Sequence, residues 1–137
     1  HMIHRGGGGK IINMSSVSGK VGNAKFAAYC ASKFGVIGFT QSLAREMAEH
    51  KVTVNAICPS LVETERVFGM ASALKPDADT STEEWRDEMV AQTNANNPMG
   101  RIAQAKDVAD VAAFLASSQA DYLTGLAINV AGGSYMG

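Results

Sequence analysis

The stretch SVSGKVGNAKFAAYCASK, residues 16–33, places a tyrosine and a lysine four positions apart. Residues i and i+4 lie on one face of an α-helix, so Tyr29 and Lys33 are predicted to stand side by side. A positive charge beside a phenol favours the phenolate, which helps a tyrosine exchange a proton with a bound molecule. An apolar, β-like run at residues 11–16 precedes the helix and ends at Ser16. The sequence therefore predicts that Ser16, Tyr29 and Lys33 converge on one substrate oxygen.

This set of residues resembles the catalytic residues of the short-chain dehydrogenase/reductase family. That family has a serine thirteen positions before the tyrosine of a Tyr-x-x-x-Lys motif, and Ser16 and Tyr29 have this spacing. The tyrosine–lysine motif alone is weak, but the serine, the preceding strand and the long following helix make it specific. The resemblance implies that Tyr29 is the general acid or base, that Lys33 holds the nicotinamide ribose and that Ser16 stabilises charge on the reacting oxygen. It also implies a nicotinamide cofactor, NAD or NADP.

A second predicted strand leads into a turn that resembles the cofactor-binding turn of the same family. Residues 52–58 are apolar and carry little charge, as in a buried parallel strand, and Pro59 is predicted to end it. The family has Pro-Gly-x-x-x-Thr here, and Pro59 and Thr64 are in register whereas Ser60 replaces the glycine. The resemblance implies that the cofactor-binding residues are Tyr29, Lys33, Pro59, Ser60, Val62 and Thr64.

The resemblance covers nearly the whole chain but only the C-terminal half of the family's domain. The glycine-rich turn that holds the pyrophosphate in such folds has no counterpart here, nor does the family's catalytic asparagine. The only glycine run, residues 6–9, precedes a strand, and no serine or threonine follows Lys10, which excludes a P-loop. We therefore expect residues 1–137 to be a single partial domain, the C-terminal catalytic half of a Rossmann-type domain.

Alternating strand and helix patterns predict an α/β fold, part of a doubly wound parallel sheet with about three strands and flanking helices. Strands are predicted near 10–15, 52–58 and 125–131, and helices near 28–49, 82–93 and 106–118. Apolar residues cover more than one face of the 28–49 helix. The sequence therefore favours a homo-oligomer that pairs through this helix, and the alternative is a helix packed entirely under its own domain.

The segment 61–97 corresponds to the substrate lid of the family. Within it, Ser81 and Glu84 form a capping-box pattern that predicts a helix start. Trp85 is a candidate substrate contact, although it could equally belong to a surface excursion that covers the core. Ser18 and Asn23 follow the catalytic serine and are candidates for the pocket wall, with loop packing as the alternative.

Composition excludes several classes of function. The net charge is −1 at pH 7, so no basic surface indicates binding to nucleic acid or to anionic lipid. No apolar run approaches the length of a membrane span, and the start of the chain does not resemble a signal peptide. The two cysteines are predicted to be buried thiols in a reducing, cytoplasmic compartment. The three histidines are scattered, so no metal site is expected.

The substrate predicted from the resemblance is a small secondary alcohol or ketone. Residues 9–40 and the long lid resemble the polyol, diol and acetoin dehydrogenase branch, and 3-oxoacyl reductases share most of the same features. An alternative hypothesis is that the isolated chain is a non-catalytic, self-associating fragment. It would bind NAD or NADP weakly and associate through the bare edge of the 10–15 strand or through the long helix.

Overall fold

Three parallel strands form the centre of the structure, a computed structural model that describes residues 1–137. The strands are β1 (Gly9–Met14), β2 (Val52–Pro59) and β3 (Ala127–Val130), and β2 lies in the middle. β2 pairs in parallel with both neighbours, with Gly9 opposite Val52 and Ala56 opposite Ala127. The predicted α/β fold with a three-stranded parallel sheet is therefore confirmed.

Five helices surround the sheet. They are α1 (Met2–Arg5), α2 (Ala27–Met47), α3 (Glu65–Leu74), α4 (Thr82–Asn96) and α5 (Ala105–Ala116). The bounds predicted from the sequence for α2, α4 and α5 lie within three residues of these, whereas no bounds were predicted for α1 and α3. Pro59 was predicted to follow the second strand and is instead its last residue. The N–H of the next residue, Ser60, donates to the Val130 carbonyl at 3.1 Å, so the proline costs β2 no ladder hydrogen bond at this end.

Alternation along β2 divides the core into two layers. Val52 and Val54 are buried against Ala44 of α2. Ile57 has the opposite parity and packs with Leu115 of α5 on the other face of the sheet. Because β2 is covered on both faces, its residues from Val52 to Cys58 are all buried. The carboxyl ends of β1 and β2 therefore open together at one edge of a three-layer α/β/α structure.

The pair α3 and α4 forms an excursion between β2 and α5. α4 begins at the predicted capping box, in which the Glu84 N–H donates to the Ser81 hydroxyl at 3.1 Å. Arg86 on α4 forms an ion pair with Glu63, on the turn after β2, at 2.8 Å. The second carboxylate oxygen of Glu63 accepts from the Gln104 side chain at 2.8 Å. Glu63 thus ties the excursion to the turn that leaves the sheet. None of the helices is long and apolar enough to cross a membrane.

The start of α5 is held by one carboxylate. Asp107 accepts from the Gln104 N–H at 2.7 Å and from both terminal nitrogens of Arg101 at 2.7 and 2.8 Å. The hydrogen bond from Arg101 is the main reason that the pKa of Asp107 lies well below its ordinary value of 3.8. A carboxylate with a lowered pKa in the folded state stabilises that state above the unfolded value and loses this effect as the pH falls.

We expect Asp107→Asn to lower the midpoint of urea unfolding at pH 7, because it removes the charge that Arg101 and the helix start both favour. The difference in urea midpoint between the variant and the wild type should be largest when the pH is well above 3.8. It should shrink as the pH falls below that value. Urea titrations at a series of pH values measure this difference. Asp110→Asn, on the exposed side of the same helix, is the control. A difference that persisted unchanged at the lowest pH would contradict the assignment.

Candidate active site

A cavity of about 690 Å³ lies at the carboxyl ends of β1 and β2. Parallel α/β sheets bind their ligands at this edge, because the loops that leave the strands converge there. The wall is formed by the turn after β1, the start of α2, the turn after β2 and the start of α3. All six of the residues predicted to bind the cofactor line this cavity, together with Ser16, Ser18 and Asn23.

Ser16 follows directly on the end of β1 and is buried. Its hydroxyl oxygen accepts from the Ser18 N–H at 3.1 Å and so caps a short 3-10 turn at Val17–Gly19. The same hydroxyl faces the Pro59 carbonyl at 3.4 Å. Ser16 is therefore held between the ends of β1 and β2, with its oxygen at the cavity wall.

Tyr29 and Lys33 lie on consecutive turns of α2, and both line the cavity. The Lys33 ammonium is 5.6 Å from the centroid of the Tyr29 ring. It donates a hydrogen bond to the Met14 carbonyl at the end of β1 at 3.0 Å. The lysine is thus anchored to the sheet while it remains beside the phenol ring.

A close approach at Gly19 fixes α2 against the turn after β1. A β-carbon at this position would lie 2.6 Å from the Ser15 hydroxyl and 2.7 Å from the Lys33 carbonyl oxygen, so only glycine fits. The Ser15 hydroxyl in turn donates to the Lys33 carbonyl at 2.9 Å. Ser15 and Gly19 flank Ser16 in sequence, and both contact Lys33. The distance between the serine and the helix is therefore set by direct contact.

The turn after β2 supplies the remaining predicted residues. The Ser60 hydroxyl is buried at the cavity wall and has no hydrogen-bond partner. Thr64 is the N-cap residue of α3, and its hydroxyl is 3.5 Å from the Val62 carbonyl, at the limit of a hydrogen bond. Val62 forms a single parallel bridge with Ala103, which ties this turn to the start of α5. A buried hydroxyl without a partner is costly, so Ser60 offers a polar contact to a bound molecule.

The three predicted substrate residues differ in their positions. Ser18 and Asn23 both line the cavity, and the Asn23 amide donates to the Ser18 hydroxyl at 3.1 Å. Trp85 lies on α4, half-buried, and is not part of the cavity wall. Its indole N–H is buried without a partner. The structure therefore brings two of the three residues to the cavity.

Sequence reasoning missed Arg66, in the first turn of α3. Its guanidinium carbon lies 5.1 Å from the centroid of the Tyr29 ring, and the side chain lines the cavity. Phe26 approaches the same ring edge-on, with 6.4 Å between the centroids. No local sequence pattern indicates this contact, because Arg66 and Tyr29 lie far apart in the chain.

The two cysteines do not form a reactive centre. Both are buried and free, and burial is the main cause that raises the pKa of the Cys58 thiol above its ordinary value. A thiol with a raised pKa stays protonated at neutral pH and is a poor nucleophile. No cluster of three or more histidine, cysteine or acidic side chains is placed to hold a metal ion.

Comparisons with known proteins agree with this geometry. The family described as enoyl-(acyl carrier protein) reductase matches residues 1–135. A 3-oxoacyl-acyl-carrier-protein reductase of Vibrio cholerae is 44% identical over 128 residues, which are 93% of this chain and 46% of that protein. A (3R)-3-hydroxyacyl-CoA dehydrogenase of Mus musculus is 38% identical over 135 residues, 98% of this chain and 46% of that one. The chain thus spans about half the length of the curated relatives it matches.

Solved structures of other proteins superpose on nearly the whole of this chain. An actinorhodin polyketide ketoreductase variant with NADPH superposes with a TM-score of 0.85 at 39% identity, over 97% of this chain and 49% of the other. An acetoin dehydrogenase of Salmonella typhimurium superposes with a TM-score of 0.76 at 30% identity, over 98% of this chain and 46% of the other. With a family match over nearly the whole sequence and this fold, the chain belongs to the short-chain dehydrogenase/reductase family.

Proposed function

We propose that the chain carries the catalytic residues of an NAD- or NADP-dependent oxidoreductase that interconverts a secondary alcohol and a ketone. The observation that supports this most strongly is the convergence of Ser16, Tyr29 and Lys33 on one cavity. These residues come from a strand end and a helix, and contacts within the fold hold them together. A hydroxyl, a phenol and an ammonium beside a single pocket suit proton transfer to a carbonyl oxygen.

The residues present fit a nicotinamide group. The unpartnered Ser60 hydroxyl offers a hydrogen bond to a polar ligand atom, and Thr64 offers a second hydroxyl nearby on the same turn. Lys33 uses one of its three N–H groups on the Met14 carbonyl, which leaves two for ribose hydroxyls. Pro59 and Val62 complete this side of the wall. The cofactor, when bound, would supply the hydride that passes to or from the substrate carbon.

The chain's own residues would carry the proton. In the reducing direction, the Ser16 hydroxyl donates a hydrogen bond to the carbonyl oxygen and stabilises the negative charge that develops on it. The Tyr29 hydroxyl gives its proton to the same oxygen, so the O–H bond of the phenol breaks as the O–H bond of the alcohol forms. The phenolate that remains lies beside the Lys33 ammonium, which stabilises it. In the oxidising direction each step reverses.

Two substrate classes have support from the relatives. The names of two curated relatives, a 3-oxoacyl-acyl-carrier-protein reductase and a (3R)-3-hydroxyacyl-CoA dehydrogenase, favour a 3-oxoacyl or 3-hydroxyacyl substrate. The similarity to an acetoin dehydrogenase favours a small polyol, diol or acetoin-like ketone. We further propose that residues 61–97 form a lid over the substrate, since α3 contributes Val67 and Met70 to the cavity wall.

The long helix α2 supports the proposal of a homo-oligomer. Phe34 and Phe39 are exposed on it, with 47% and 59% of their surfaces accessible. When a second apolar surface covers large exposed aromatic side chains on a helix, their burial favours association. A second copy of this chain would present the same helix, as a two-fold interface requires.

Tyr29→Phe in the full-length enzyme should lower turnover by roughly 100- to 10,000-fold, because it removes only the hydroxyl group whose proton the reaction transfers. The fold should be unchanged, as measured by circular dichroism, and NADPH or NADH oxidation with a 3-oxoacyl thioester measures the rate. Tyr122→Phe is the matched control, since Tyr122 is fully exposed and remote from the cavity. Normal turnover in the Tyr29 variant would refute the catalytic assignment.

The 137-residue chain by itself should bind NADH or NADPH only weakly and should show no turnover. The relatives that it matches are about twice its length, and the proposal places the adenosine and pyrophosphate contacts in the part they have in addition. Titration of the purified chain, followed by cofactor fluorescence, measures this affinity. Saturable binding in the micromolar range by a clean monomer would show that the chain holds a complete cofactor site.

Phe39→Lys should convert an oligomer of the chain into a monomer, because it places a charge in the proposed helix interface. Size-exclusion chromatography with light scattering gives the mass directly. Phe114→Lys on α5 is the control, since Phe114 is exposed to a similar degree, 42%, on a different helix. If the Phe39 variant keeps the mass of the wild type, association uses another surface, such as the free edge of β1.

A further inference from the structure

The charged side chains that line the cavity are all positive. Lys33 and Arg66 are its only charged lining residues, and no aspartate or glutamate faces it. Lys33 is accounted for by the Met14 carbonyl and by its proposed role beside Tyr29. Arg66 has no such role in the reaction as described, although it lies against the same tyrosine ring.

Arg66 is exposed and has no charged partner within the chain. It forms no ion pair and makes no side-chain hydrogen bond. The nearest acidic residue of the preceding turn, Glu63, is already occupied, since one of its oxygens accepts from Arg86 at 2.8 Å and the other from Gln104 at 2.8 Å. All five N–H donors of the Arg66 guanidinium therefore remain free, and a planar fork of donors is the group that best matches a carboxylate or phosphate.

The position of Arg66 limits where a bound anion would lie. Its guanidinium stacks on Tyr29, with 5.1 Å between the guanidinium carbon and the ring centroid. An anion held by this fork would therefore lie beside the Tyr29 ring, at the wall of the same cavity. Arg66 also stands in the first turn of α3, where the free N–H groups of the helix favour negative charge.

We propose that Arg66 is a specificity-determining residue that binds an oxyanion carried by the substrate close to its reacting carbon. Of the substrate classes proposed above, this favours the 3-oxoacyl and 3-hydroxyacyl class in the form of a short acid with a free carboxylate, and it disfavours a thioester or a neutral acetoin-like ketone. This assignment rests on the proposed function, since it takes Tyr29 as the group next to the reacting oxygen. The nicotinamide cofactor carries phosphate as well, so the source of the anion must be tested.

The experiment is a titration of the ¹⁵N-labelled 137-residue chain, followed by the amide resonances of residues 29 and 64–67. Acetoacetate and acetoacetamide are the substrate pair, because they have the same shape and differ in charge. Nicotinamide mononucleotide and nicotinamide riboside form the cofactor pair, because they differ by one phosphate. The variants are Arg66→Gln, Arg66→Lys and, as a matched control at the opposite edge of the sheet, Arg5→Gln. The spectrum of each variant reports directly whether it is folded.

We expect the wild type to bind acetoacetate at least about tenfold more tightly than acetoacetamide, as a charge-assisted pair of hydrogen bonds provides. Arg66→Gln should abolish this preference, Arg66→Lys should keep part of it and Arg5→Gln should keep all of it. Equal affinities in the wild type, absence of binding by either compound, or a preference that survives Arg66→Gln would overturn the proposal. A charge preference confined to the nucleotide pair would assign the anion to the cofactor and overturn it equally.

The outcome is separable from that of the proposed function. Tyr29→Phe retains the ring beside which Arg66 lies, so the preference for acetoacetate should persist in this variant of the 137-residue chain even though turnover is lost in the full-length variant. If turnover were normal in Tyr29→Phe while the binding preference held, the catalytic assignment would fail and the anion site would stand. If turnover were lost in Tyr29→Phe but the wild type showed no binding preference, the anion site would fail and the catalytic assignment would stand.

Discussion

The close packing of Gly19 against the Lys33 carbonyl is the contact on which the site depends. The turn after β1 and the second turn of α2 approach so closely there that no side chain fits between them. The Ser15 hydroxyl donates a hydrogen bond to the same carbonyl. Because one segment carries Ser16 and the other carries Tyr29 and Lys33, this contact fixes the relative positions of all three. Site geometry held by backbone contact is more precise than geometry held by side chains alone.

The parallel sheet determines why the remaining residues meet at the same place. β1 and β2 run in register, so the segments that leave them, at Ser15 and Ser60, emerge at one edge. β2 is buried on both faces, which leaves its carboxyl end as the exposed part available to a ligand. The Glu63–Arg86 ion pair then directs the chain from that edge into α3 and α4. As a consequence the cavity is bounded by the end of the sheet on one side and by α3 on the other.

The fold, and the meeting of Ser16, Tyr29 and Lys33 at one cavity, could be predicted from the sequence because both follow from short-range rules. The spacing of Tyr29 and Lys33 is a property of any α-helix, and alternation of strand and helix specifies the parallel sheet. Contacts between distant segments could not be obtained in this way. Arg66 reaches Tyr29 only because α3 folds back across the edge of the sheet. Trp85 lies outside the cavity because no residue of α4 lines its wall. The wide apolar surface of α2 was visible from the sequence, but not which of its aromatic residues remain exposed.

The hydrogen bond from Lys33 to the Met14 carbonyl has a thermodynamic consequence for ligand binding. A free lysine side chain holds about 2 kcal/mol of rotamer entropy, which a ligand must normally restrict when it recruits the ammonium. Here the ammonium is already anchored to the end of β1 at 3.0 Å. Much of that ordering is incurred when the chain folds, so a ribose that docks on Lys33 meets donors already in place. The association of a sugar hydroxyl with this lysine should therefore carry a smaller entropic penalty than with a mobile surface lysine.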